Sequence, residues 1–140
     1  MDRYEETHVE IPLIEQLKNY GYNYLNTNEL DRERSSQAVV LLEDRFRESL
    51  QRLNPWMNEN SLDKVVRRFS TPQAEDLWHM NKQIFDWLFG EGITVVQDVG
   101  SGNKNQSVKL FDYDKIENND FVVTNQFTVT NTSGIIIPDN

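Results

Sequence analysis

The chain has 140 residues, the length of one ordinary domain, with 37% hydrophobic and 11% aromatic residues. That composition builds a core and excludes a disordered tail, and the absence of cysteine excludes disulfides, thiolate metal sites and a cysteine nucleophile. With 23 acidic residues against 14 basic ones, the net charge of −9 argues against a free-standing nucleic-acid-binding module, which grips phosphates through a basic face. No apolar run approaches the roughly 20 residues needed to cross a bilayer. The acidic start Met1-Asp2-Arg3-Tyr4-Glu5-Glu6 has no apolar signal stretch, so a soluble cytoplasmic protein is expected, without membrane contact.

In chain order, Leu13, Ile14 and Leu17 follow helical spacing with Val9 extending the stripe backwards, and Asn19-Tyr20-Gly21 ends it with glycine at the left-handed position past the cap. Tyr22-Asn23-Tyr24-Leu25 alternates as a short strand, and residues 26–37 read as a polar surface loop. Val39, Leu42, Phe46, Leu50 and Leu53 predict the clearest helix, stopped by Asn54-Pro55. Ser61 is a candidate cap for a short helix through Phe69, and Thr71-Pro72 for a helix carrying Leu77, Trp78, Ile84, Phe85, Trp87 and Leu88 up to Gly90 or Gly92. Strands are expected at 93–96, 107–111 and 121–130, with turn material at 100–103. Ile135-Ile136-Ile137 opens a last strand just before Asn140, which reads as a fold cut off within a sheet. The fold class expected is therefore α+β (mixed α/β), mainly helical over 1–92 and mainly β over 93–140.

Several chemistry-bearing signatures are absent from the sequence. It has no phosphate loop and no Gly-x-Gly-x-x-Gly, and His8 and His79 stand far apart as expected surface or half-buried residues. Asp112-Tyr113-Asp114 starts like a calcium loop, but Glu117 and Val123 occupy the positions that need glycine and glutamate. Glu10 lies three, four and seven residues before Leu13, Ile14 and Leu17, which puts its carboxylate on their apolar face. Such a group costs several kcal/mol unless paired or metal-bound. Thr7-x-x-Glu10 also fits a capping box, and Pro12 complicates both readings. Pro138-Asp139 is by itself a common turn dipeptide.

Three ordered blocks then line up with one family. Glu10-Ile11-Pro12-Leu13-Ile14-Glu15-Gln16-Leu17 with Gly21-Tyr22 resembles its opening helix and turn. Leu41-Leu42-Glu43-Asp44-Arg45-Phe46-Arg47-Glu48-Ser49-Leu50 with Arg52-Leu53-Asn54-Pro55 resembles its second helix and stop. Most specific is Leu110-Phe111-Asp112-Tyr113-Asp114 followed by the run from Glu117 to Val129. These blocks are similar to the start of the R subunit of type I restriction–modification enzymes. The resemblance implies that residues 1–140 are part of an N-terminal PD-(D/E)xK nuclease domain, with an ATP-driven motor elsewhere in the parent protein. It makes Asp139 the first metal-binding catalytic carboxylate and gives Glu10 the place of the acidic residue on the first helix, together holding Mg²⁺. Ile137 departs from the arginine that often precedes the Pro-Asp pair. The partners implied are DNA and the methylation and specificity subunits, and the Glu-x-Lys strand is expected beyond Asn140, which leaves the 140-residue chain inactive alone. The alternative is a non-catalytic docking module built on the helices around 38–90, with Trp56, Trp78 and Trp87 as candidate anchors.

Overall fold

A computed structural model describes residue 4 and residues 6–34, 41–71, 76–98, 100, 102–125, 127, 129–130 and 136–137. Two compact units make up the chain: Met1–Leu42 with Asp120–Asn140 form one, and Glu43–Asn119 form the other. The mixed α+β class holds, with five α-helices among the described residues and short strands mostly after them.

In the discontinuous unit, a π-helical turn at Glu6–Glu10 runs directly into helix α1 (Ile11–Asn19). Pro12 falls in the first turn, where its missing N–H breaks no helical bond. Ile14 is buried and Leu17 half-buried, whereas Val9 and Leu13 are exposed, so the buried stripe is narrower than expected. Successive helical residues are rotated by about 100°, which turns Leu13 away when Ile14 points inward. The helix closes as the sequence predicts. Gly21 adopts φ +96° and donates to the Lys18 carbonyl at 3.0 Å, and Tyr22 N–H reaches the Leu17 carbonyl at 3.1 Å. That pair of bonds satisfies carbonyls the helix would otherwise leave open.

Strand β1 (Asn23–Tyr24) pairs in parallel with β4 (Val122–Val123), joining the two arms of this unit across the whole of residues 43–119. Residues 26–37 are not simply a loop, because Thr27–Glu33 form helix α2 with Leu30 buried. Asn26 accepts from Glu29 N–H at 2.9 Å while the Glu29 carboxylate accepts from Asn26 N–H at 3.2 Å. This reciprocal cap satisfies two orphan donors and starts a helix that apolar spacing alone does not announce. The strand expected over 121–130 is two separate strands, β4 and β5 (Val129–Thr130), the latter antiparallel to β6 (Ile136–Ile137).

The continuous unit packs helices α3 (Glu43–Leu53) and α4 (Glu59–Ser70) with a hairpin of β2 (Ile93–Asp98) and β3 (Asn103–Val108). Leu50, Met57, Leu62, Val65, Ile93, Val95 and Val108 form its buried core, flanked by Phe46, Phe69 and Trp87, whose rings meet edge-on in sequence. Fully burying each aliphatic side chain contributes about 1.5–3 kcal/mol. The α3 periodicity is correct from Phe46 onward, but Leu42 precedes the helix and Val39 lies outside the described residues. Asn58, not Ser61, caps α4, accepting Ser61 N–H at 2.9 Å. The Ser61 hydroxyl instead donates to Gln97 Oε1 at 2.7 Å, and Gln97 Nε2 donates to the Trp56 carbonyl, also at 2.7 Å. Thr71 closes α4 rather than opening the next helix, and Pro72 lies outside the described residues. Helix α5 (Leu77–Phe89) begins later, capped by Asp76, which accepts His79 N–H at 2.8 Å. None of its residues is fully buried, and Trp78 is 65% exposed. The β3 strand begins and ends earlier than expected because the hairpin fixes its register, with Ile93 opposite Val108 and Asp98 opposite Asn103.

Candidate functional site

Glu10 is the candidate carboxylate that the described residues contain; Pro138 and Asp139 lie outside them. The backbone at Glu10 is already helical, with φ −67° and ψ −53°, and Thr7 lies inside the π turn. A capping box centred on Thr7 requires extended backbone there, so the capping reading of Glu10 is not what forms. Glu10 instead shares the inward face of α1 with Ile14 and Leu17, four and seven residues on, and is half-buried.

Asn125 is a partner of this carboxylate, its Nδ2 donating to Glu10 Oε2 at 2.9 Å. Asn125 Oδ1 accepts from the Tyr24 hydroxyl at 2.7 Å, so both ends of the amide are held. Thr27 Oγ1 adds a long 3.5 Å contact to the Asn125 carbonyl. A hydroxyl from β1, an amide from the segment after β4 and a carboxylate at the head of α1 thus form one hydrogen-bonded chain inside one unit. Parallel pairing of Tyr24 with Val123 brings the three elements to the same place. Tyr24 and Asn125 escaped the sequence reading. The available signals were the alternation of Tyr22 and Tyr24, and an asparagine set in a β-branched run where that residue is disfavoured.

The most family-like block has a different role. The buried Asp112 carboxylate accepts from Asp114 N–H at 3.0 Å, Lys115 N–H at 2.9 Å and Asn118 Nδ2 at 3.0 Å. Asn119 adds a two-way bond, donating to the Asp112 carbonyl at 2.8 Å and accepting Asp112 N–H at 2.8 Å. Donation from Lys115 N–H, and next from the Asn118 amide, holds the Asp112 carboxyl below the usual aspartate range. Its oxygens are occupied in organising the loop. The two histidines are exposed: His8 stacks on Tyr4, and the His79 ring meets the Asp76 cap at 2.8 Å. Among the described residues, no three His, Asp or Glu side chains gather as a metal-binding group. No helix among them is long and apolar enough to cross a membrane.

An α+β chain with a half-buried helix carboxylate keyed to a strand segment defines the broad class of protein. The particular family is fixed by comparison: residues 2–139 match the family described as type I restriction enzyme R protein N terminus, and the chain belongs to it. A Methanocaldococcus jannaschii protein named as the type I restriction enzyme MjaIXP endonuclease subunit is 33% identical over 128 residues, covering 89% of this chain and 12% of the relative. The type I restriction enzyme HindI endonuclease subunit of Haemophilus influenzae is 28% identical over 134 residues, covering 92% of this chain and 13% of its own length. The chain therefore spans about an eighth of the length of these relatives. No solved structure matches it significantly.

Proposed function

We propose that the chain contributes to the nuclease domain of a type I restriction enzyme, with Asp139 and Glu10 as metal-binding carboxylates for Mg²⁺-dependent cleavage of DNA. The observation that supports this reading best is the placement of Glu10. A carboxylate half-buried on an apolar helix face needs compensation, and here the neutral Asn125 amide donates to one of its oxygens. Mg²⁺ takes hard oxygen donors, so the chemistry of Glu10 fits, while its number does not suffice alone and calls for Asp139. The metal, when bound, supplies charge stabilisation and a water nucleophile at neutral pH. Glu10 would help hold the ion from the head of the helix, with Asp139 as the second carboxylate.

ATP-driven translocation, and contacts with the methylation and specificity subunits, are assigned to the parent protein. In the full-length enzyme, Asp139→Ala abolishes DNA cleavage, measured on a linear plasmid, while ATP hydrolysis continues. Retained cleavage would remove Asp139 from the active site.

A docking role is the second reading, and helix α5 favours it. Leu77, Trp78, Phe85 and Phe89 are each more than half exposed, and beside the helix lies a cleft of about 620 Å³ lined by Trp87, Leu88, Leu110 and Phe111. Apolar exposure on this scale marks an interaction site in many soluble proteins. A docking module tolerates Asp139→Ala and loses partner binding on Trp78→Ser, which separates the two readings.

A further inference from the structure

Resting on the reading of Glu10 as a metal-binding carboxylate, the geometry points to Asn125 and Tyr24 as positioning residues for it. The chain of bonds runs one way: the Tyr24 hydroxyl donates to Asn125 Oδ1 at 2.7 Å, and Asn125 Nδ2 donates to Glu10 Oε2 at 2.9 Å. A side-chain amide is two-faced and can turn over about its last bond. A carboxylate accepts and so takes the nitrogen side of the amide, and the Tyr24 hydroxyl, donating, anchors the oxygen side. Its ring is held in turn by the parallel β1–β4 pairing and has the Lys18 ammonium 5.9 Å from its centroid. Among the described residues Asn125 donates to Glu10, and Tyr24 acts through Asn125.

The arrangement has a functional logic beyond holding the fold together. A metal-ligating carboxylate free to rotate loses affinity for the ion, and a partner on one oxygen fixes the direction of the other. A lysine or arginine in place of Asn125 would also fix the group, but its charge would compete with a cation. A neutral donor orients without competing.

The test uses the full-length protein and reads Mn²⁺ binding by electron paramagnetic resonance alongside DNA cleavage. Asn125→Ala is expected to weaken Mn²⁺ affinity about 10–100-fold, the usual range for loss of a ligand's supporting partner. Tyr24→Phe, which removes one oxygen, acts in the same direction by less and adds nothing in the Asn125→Ala background. Neither change has a further effect once Glu10→Gln is present. Wild-type Mn²⁺ affinity in both variants, or losses that simply add in the combined variants, overturns the inference. If Asn125→Ala fails to give a cooperative thermal transition, Tyr24→Phe decides alone, and unchanged affinity in it is fatal. Glu10→Gln tells the two levels apart. Unchanged binding and cleavage in that variant defeat the reading of Glu10 itself, whereas losses there with none in Asn125→Ala and Tyr24→Phe defeat the positioning role only.

Discussion

Asparagine carries much of the specificity of this chain, because its amide can copy a backbone unit. Asn54 is 1% exposed and docks against Lys109 as a strand would, accepting Lys109 N–H at 2.7 Å and donating to the Lys109 carbonyl at 2.8 Å. The same Nδ2 reaches the Leu50 carbonyl at 3.0 Å, so one side chain ends α3 and ties it to the segment after β3. Asn54→Ala leaves the Lys109 amide without its partner and is expected to cost about 1–3 kcal/mol, read as a lowered urea midpoint at unchanged slope. Asp112 yields a pH prediction. Its carboxyl titrates below the unfolded value of 3.8, chiefly through the Lys115 N–H and then the Asn118 amide, so it binds protons less readily folded than unfolded. The stability it contributes is therefore complete above about pH 4 and is lost as pH falls through the lowered folded value. Asp112→Asn should flatten that part of the acid limb in a series of thermal melts from pH 5 to pH 2. An unaltered limb would mean that the loop does not depend on the charged form.

Among the elements, α4 and α5 are opposites. Helix α4 buries Leu62 and Val65 against the β2–β3 hairpin, and Arg47 of α3 pairs with Asp63 at 2.6 Å and with Glu59 on its outer side. Helix α5 contributes the half-buried Trp87 to the aromatic row and leaves most of its remaining apolar surface uncovered. Two substitutions measure the difference. Leu62→Ala should cost about 2–5 kcal/mol, since it removes a core side chain and leaves a cavity. Trp78→Ser should change stability by less than about 0.5 kcal/mol, despite deleting a much larger group. A large loss on Trp78→Ser would show that α5 is covered within the folded chain.

For the whole molecule, charge sets the expectation. At −9 the chain cannot release enough counterions from a duplex to hold it, so a mobility-shift titration of residues 1–140 should show no DNA complex in the micromolar range at physiological salt. A tight, salt-sensitive complex would require a basic face that the overall charge hides. The same polypeptide should show no Mg²⁺-dependent nicking, because the chemistry needs a further acidic ligand and a lysine besides Glu10 and Asp139. Nicking abolished by Asp139→Ala would overturn that expectation.

Local chemistry was legible wherever the signal is carried by neighbours in sequence. The closure of α1 by Gly21, the α3 stripe from Phe46 to Leu53 and the stop at Asn54-Pro55 all depend on groups within a turn or two, and they form as read. The capping box at Asn26 is equally local, but α2 buries only Leu30 and so shows little periodicity in the sequence. Family membership was also contained in the sequence, through ordered blocks. What only the tertiary structure decided are the pairings between distant segments: β1 with β4, Asn54 with Lys109, and Glu10 with Asn125 and Tyr24. Each depends on which strand comes to lie beside which, and a hydrogen bond formed across a hundred residues leaves no periodicity in either partner's neighbourhood. The sequence left Glu10 open between a helix cap and an inward face; the helical backbone through Thr7 and the parallel pairing of the chain's two arms decided that it faces inward and what it meets there, because neither is written in the spacing of its neighbours.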